Sequence, residues 1–218
     1  KSVMAKKYYL TETEMLEQFR VSFENAKNQT EIATIMDEFG FSAEVIAEGE
    51  ALLAKARTAY DTNKKESDET SKVYKNYAKL KEQLEKIYVL DRKKAKVIFT
   101  NDPNAYQELG LSGEVPKSHI NWLEAVRKFY TGLFESPEMQ AKVKKLKITP
   151  EGITQSLELL AQVNASRAEF MKELGESQLS RQQKDEALAT IELWMREFYA
   201  VAKIALDDKV KLLKALKN

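Results

Sequence analysis

Residues 15–54 recur 107 positions later as residues 122–161, with no insertion or deletion between them. Nine of the forty aligned pairs are identical, among them Leu16/Leu123, Arg20/Arg127, Glu44/Glu151 and Ile46/Ile153, and the run Leu52-Leu53-Ala54 over Leu159-Leu160-Ala161. Other pairs keep their character: Phe23/Tyr130, Ile32/Met139, Phe39/Leu146 and Phe41/Ile148. The same offset later sets Ala95-Lys96-Val97 over Ala202-Lys203-Ile204 and Phe99 over Leu206. A period this long reads as a duplicated domain rather than a solenoid of short units.

The repeated unit is helical. Seven glycines and four prolines among 218 residues leave few turns to distribute, where a sheet protein of this size needs many. Apolar residues recur at helical spacing: Met15, Leu16, Phe19 and Phe23; then Leu84, Ile87, Tyr88, Ala95 and Ile98. Ile191, Trp194, Met195, Phe198 and Ala202 form the matching stripe in the second copy. Helix starts repeat as well. Thr11 and Glu14 spell a capping box, with Leu10 and Met15 as its hydrophobic staple. Ser42 reads as an N-cap ahead of Glu44, with Phe41 placed to pack on Ile46. The second copy has Thr149 as the cap, Pro150 at the first helical position and Ile148 over Ile153. Gly40 is placed to end the preceding helix, and Ser118 sits where Thr11 predicts a cap.

These signals predict four helices per copy, over residues 12–27, 30–39, 43–66 and 70–99, then 119–134, 137–146, 150–174 and 178–206. The tip at 61–72 is polar and reads equally as a turn or as unbroken helix, while Gly175 favours a turn in the second copy. Asp102-Pro103 through Leu109-Gly110 reads as a short capped helix closed by glycine, and residues 112–117 as a linker. The expectation is an all-α protein of two tandem four-helix units packed as one bundle or two. Repeat 1 covers residues 1–100, the linker region 101–117 and repeat 2 residues 118–218.

Composition narrows function mostly by exclusion. Thirty-five basic against thirty-four acidic residues leave a formal charge of +1, so no global field draws the chain to nucleic acid or membrane. Two basic clusters, Arg92-Lys93-Lys94 and Lys142 through Lys147, read as solvated helix faces. The tyrosines Tyr8, Tyr9, Tyr74, Tyr77, Tyr88 and Tyr199 are scattered rather than set in a basic groove, as base stacking would require. The absence of cysteine removes disulfides and thiolate metal sites. No apolar run reaches the ~20 residues of a membrane span. A cytoplasmic location is the default expectation, with export of a processed chain left open.

No catalytic constellation stands out, and no cofactor or metal is expected. His119 is the only histidine, which rules out paired Glu-x-x-His and three-histidine metal sites; at the first turn of a helix it reads as a surface residue. Gly110-Leu111-Ser112-Gly113 lacks the strand, lysine and spacing of a phosphate loop. Arg20 and Arg127 each follow a matched glutamate, Glu17 and Glu124, by three residues, which suggests structural ion pairs. Carboxylates are abundant, and the best candidate among them is Asp91, which falls on an apolar stripe where the second copy has Phe198; the plainer reading is a residue at the edge of the stripe that pairs with a nearby Arg or Lys. A carboxylate held there is a candidate perturbed group.

The segments Asp102-Pro103, Leu109-Gly110-Leu111-Ser112-Gly113, Trp122-Leu123 and Phe129-Tyr130, with Ala202-Lys203-Ile204-Ala205-Leu206 and Leu212-Leu213 at the end, resemble an uncharacterised family of two-repeat, all-helical bacterial proteins. The resemblance implies a helical fold and no assigned activity, so it transfers no functional residue. Members of that family carry a glycine at the tip of the first long hairpin, which this chain lacks.

Two functional readings remain. The leading one is a non-enzymatic protein-interaction or structural bundle. Phe129, Leu133 and Phe134 make the first helix of copy two apolar nearly all round, which reads first as burial against copy one and second as the surface through which such a bundle associates with a partner or a second copy. The alternative is a small-molecule or lipid carrier with a pocket between the repeats, lined by Trp122, Trp194, Phe198 and Tyr199. An enzyme built on Asp91 ranks third.

Overall fold

The computed structural model describes residues 9–218, so Tyr8 lies outside the described residues. Among them the chain forms α1 (Glu12–Asn28), α2 (Thr30–Glu38), α3 (Ala43–Ile98), α4 (Pro103–Glu108), α5 (His119–Glu135), α6 (Pro137–Val143) with a 3-10 turn (Lys144–Leu146), α7 (Pro150–Ala205) and α8 (Val210–Lys217). The fold is all-α.

One long helix stands where two are expected, twice along the chain. Residues 43–66 and 70–99 fuse into α3, and 150–174 and 178–206 fuse into α7. The reason is local. Between Lys64 and Lys72 there is neither proline to remove a backbone donor nor glycine to end the helix, and the weak preferences of Ser67, Asp68, Thr70 and Ser71 cost only roughly tenths of a kcal/mol each. Gly175 costs its helix only about 1 kcal/mol relative to alanine, too little to break a helix packed on both sides of it.

The element bounds recur at the sequence offset. α5, α7 and α8 begin 107 residues after α1, α3 and α4 (119 − 12, 150 − 43 and 210 − 103). The last pair was hidden in sequence, where α4 read as part of a linker. Residues 101–117 are no passive connection: Ala105, Leu109 and Leu111 are buried in a core.

The chain divides into two compact units, and these cut across the 1–100 and 118–218 division. One unit takes the residues up to Ser67 together with Glu176–Asn218, and the other takes Asp68–Gly175. Each long helix therefore gives one half to each unit.

The first unit holds α1, α2, α8, the start of α3 and the end of α7. Thr11 and Glu14 form the capping box that starts α1, and Gly40, at φ 90°, ends the α2 segment. The core gathers Leu16, Phe19, Phe23, Ile32, Met36, Ile191, Met195 and Phe198. Each such large side chain contributes about 1.5–3 kcal/mol by leaving water. Helix α8 is tied to α1 where Asn25 Nδ2 donates to the Ala215 carbonyl at 2.8 Å. Lys184, almost buried, is neutralised by Glu12, with Nζ 2.8 and 2.9 Å from the two carboxylate oxygens.

The second unit holds the end of α3, α4, α5, α6 and the start of α7. Its core gathers Leu84, Tyr88, Phe99, Leu109, Leu111, Trp122, Val126, Phe129, Tyr130 and Leu133. Where the first unit has Asn25, this one has Gly132, and a Cβ there would sit 2.8 Å from Leu109 Cδ2. The bare backbone lets α4 come close. Arg92, expected on a solvated face, is buried instead. Its Nη2 donates to the carbonyls of Leu111 (3.2 Å) and Gly113 (2.9 Å) and clips that loop to α3.

Candidate functional site

The apolar stripe of α3 carries Leu84, Tyr88 and Ala95 into the core of the second unit, and Asp91 falls within the same stripe. Its Oδ2 accepts a hydrogen bond from the Tyr130 hydroxyl at 2.9 Å. Tyr130 is fully buried and packs edge-on against Phe129 with ring centroids 4.9 Å apart. Burial pushes the Asp91 carboxyl above its ordinary value, against the opposing pull of the Tyr130 hydroxyl and the Lys94 charge. Burial, reinforced by the Asp91 charge, pushes the Tyr130 phenol far above its own. Tyr130 therefore keeps its proton and donates the hydrogen bond to Asp91 Oδ2.

Asp91 opens onto a cleft of 360 Å³, which Lys147, Thr149, Gly152, Gln155 and Ser156 line on the side of α7 and Ile87 on the side of α3. Lys147 takes a left-handed backbone at φ 68°, the one non-glycine residue to do so among the described residues. Such a conformation costs an ordinary side chain on the order of 1 kcal/mol. Gly40 fills the position 107 residues earlier, also with positive φ. Lys147 comes from one sequence-flagged basic cluster, and Lys94, from the other, acts on Asp91.

The first unit fills the corresponding space. The positions of Ile87, Asp91, Tyr130, Ile148 and Ser156 correspond, at the offset of 107, to Trp194, Phe198, Phe23, Phe41 and Gly49. There Phe23 and Phe198 stack at 6.3 Å, Trp194 stacks on Phe198 at 5.5 Å, and Phe41 meets both edge-on. Trp194 fits because Gly49 has no side chain: a Cβ would lie 2.6 Å from the indole. Thus an aromatic box in one unit has a hydrogen-bonded Tyr–Asp pair and a cleft as its counterpart in the other.

The remaining sequence-flagged residues fall elsewhere. Phe129 and Leu133 are fully buried in the second unit's core, so of the expected interface trio only Phe134 is exposed. Core packing of α5 against the α3 and α4 side chains accounts for its all-round apolar character. Trp122 belongs to the core of the second unit, while Trp194, Phe198 and Tyr199 pack in the first. They therefore act as core residues, and none lines the Asp91 cleft. His119 is half-buried rather than on the surface. Its Nδ1 is hydrogen-bonded to the Tyr77 hydroxyl at 2.6 Å, and its Nε2 is buried without a partner. Burial, with the Arg167 and Lys81 charges, lowers its pKa. Arg20 pairs with Glu17 at 2.6 Å and Arg127 with Glu124 at 3.6 Å, both on exposed faces where such pairs contribute little.

A larger groove of 790 Å³ in the first unit is lined by Leu52, Thr58, Ala59, Thr62, Ala187 and Thr190, with Lys55 and Glu186 as its charged residues. Those two are exposed and stay hydrated, as does Lys147 on the smaller cleft, whereas Asp91 is partly stripped of water. Chemistry favours the smaller cleft. Among the described residues no helix is long and apolar enough to cross a membrane. No protein-family model, curated protein or solved structure matches the chain.

Proposed function

We propose that the chain is a non-enzymatic binding protein that arose by internal duplication, and that its ligand site is the Asp91 cleft of the second unit. The observation that carries this reading is the contrast between corresponding positions: Trp194 and Phe198 fill the core of one unit, while Ile87 and Asp91 leave a cleft in the other. A duplicated core with no further role keeps its apolar filling, because a half-buried carboxylate costs stability unless it is compensated. The cleft falls within the size range of small-molecule sites, about 300–1,000 Å³. Its hydroxyls, amide and charges suit a small polar ligand better than a lipid. Native mass spectrometry of protein purified without denaturation tests this. Retained small-molecule mass that disappears in Asp91→Phe supports the reading, and mass retained equally by that variant refutes it.

A second reading, a protein-docking surface, draws support from α3, where Ile87, Leu90 and Val97 are exposed on one face. Their spacing of three and ten residues forms a stripe that an amphipathic partner helix fits. Leu90→Glu with Val97→Glu should abolish any association seen by sedimentation, and an unchanged sedimentation profile in an associating protein removes this surface from consideration.

A further inference from the structure

Two opposite charges line the Asp91 cleft without pairing. Among the described residues neither half-buried Asp91 nor exposed Lys147 closes an ion pair, with each other or with a third group, although the Lys94 charge acts on Asp91. Elsewhere nearby opposite charges have closed up: Lys27 on Glu50 at 3.0 Å, Lys184 on Glu12 at 2.8 Å and Lys142 on Glu138 at 3.4 Å. One Asp91 oxygen is taken by Tyr130, and the other has no hydrogen-bond partner among the described residues. Lys147 holds its place through a left-handed backbone that glycine would adopt more readily. The same cleft is lined by Gln155, by Thr149, whose Oγ1 accepts from the Gly152 N–H, and by Ser156, which is hydrogen-bonded to Tyr130. The apolar wall is Ile87, Ile148 and Leu159.

We propose that this cleft binds a small zwitterion of the free amino-acid class, its ammonium on the Asp91 carboxylate and its carboxylate on the Lys147 ammonium. The proposal rests on the reading of the cleft as a ligand site and adds the chemistry of the ligand. A ligand with both charges satisfies each residue at once. A simple cation leaves Lys147 unpaired, and a simple anion meets Asp91. The ligand side chain lies along Ile87 and Leu159, which favours an aliphatic member of the class.

The test is an amide-resolved NMR titration of the intact chain with each of the twenty free amino acids, and with methylammonium and acetate as half-molecules. The expected result is saturable movement of the Gly152 and Ser156 amides with an aliphatic amino acid and none with either half-molecule. Asp91→Asn and Lys147→Gly should each weaken that binding about tenfold or more, the loss expected for one charge-assisted contact. Both variants should fold, since asparagine still accepts from Tyr130 and glycine relaxes the left-handed backbone. Methylammonium binding as tightly as any amino acid, unaffected by Lys147→Gly, would make the cleft a plain cation site and overturn the proposal. Absence of any movement with all twenty would overturn it too. Retained mass of another chemical class in the mass spectrum would still uphold the cleft as a ligand site.

Discussion

Two helical glycines should respond to alanine with opposite signs. Gly49 and Gly175 both lie inside long helices, where alanine is intrinsically better by about 1 kcal/mol. At Gly175 a new Cβ meets nothing within 4 Å, so Gly175→Ala should realise that gain and raise Tm by about 2–4 °C for a chain of this size. At Gly49 the same methyl group lands 2.6 Å from Trp194 Cζ2 and Cη2 and 2.8 Å from Phe23 Cζ. These are rigid rings in a packed box, and overpacking of this kind costs about 1–3 kcal/mol. The upper part of that range applies, because three atoms of two aromatic rings must move. The net effect of Gly49→Ala is then a loss of about 1–2 kcal/mol, separating the two variants by about 2–3 kcal/mol. Urea unfolding followed by far-ultraviolet circular dichroism measures both. Trp194→Leu should cost less in the Gly49→Ala background than in the parent chain, a coupling that a double-mutant cycle reads directly. If Gly49→Ala stabilises as much as Gly175→Ala, Trp194 does not pack against Gly49 and the filled aromatic box is wrong.

Other consequences follow from single contacts. Lys184→Ala removes the partner of Glu12 and opens a nearly buried position, which should lower stability by about 1–2 kcal/mol in chemical denaturation. Arg92→Lys loses the two Nη2 contacts to Leu111 and Gly113, so it should cost about 1–3 kcal/mol and speed amide exchange in the 109–113 loop. Asp91 carries a pKa raised on folding by burial, so the folded chain holds a proton that the unfolded chain has already released just above the ordinary value of 3.8. Its influence on stability is therefore most favourable below that value and falls as pH rises through the raised pKa. Asp91→Asn removes that slope, and urea midpoints of parent and variant should diverge in the variant's favour as pH is raised from below 4.

What could be read from the sequence, and what could not, follows the range of the interactions. The starts at Thr11 and Thr149 were legible because a cap is decided within four residues. So was Asp91, because the period of one helix places it on a stripe. The continuity of α3 and α7 was obscured by a polar segment and by Gly175, features that local signals weigh but cannot decide once packing holds both flanks. Which half of a long helix joins which unit depends on contacts such as Ser22 with Tyr199, 177 residues apart, and no local pattern encodes them. Phe129 and Leu133 read from sequence either as core against copy one or as an interface, because an all-round apolar helix announces burial without naming what buries it; the core with Leu84, Tyr88 and Phe99 takes them. Arg92 carries one signal, its place beside Asp91 at the edge of the stripe, and the run it forms with Lys93 and Lys94 masks it. The cleft itself emerges only when the paired positions Asp91/Phe198 and Ile87/Trp194 are seen in packed structure.

The account turns on Asp91 being half-buried beside Tyr130 and open to a cleft, and a carbon-13 NMR titration of its side-chain carboxyl carbon measures this at the atom concerned. The inflection should lie above the ordinary carboxylate value of 3.8, and Tyr130→Phe should raise it further by removing the one donor that stabilises the charge. An inflection at or below 3.8, unmoved by Tyr130→Phe, would place Asp91 in open solvent and contradict the site.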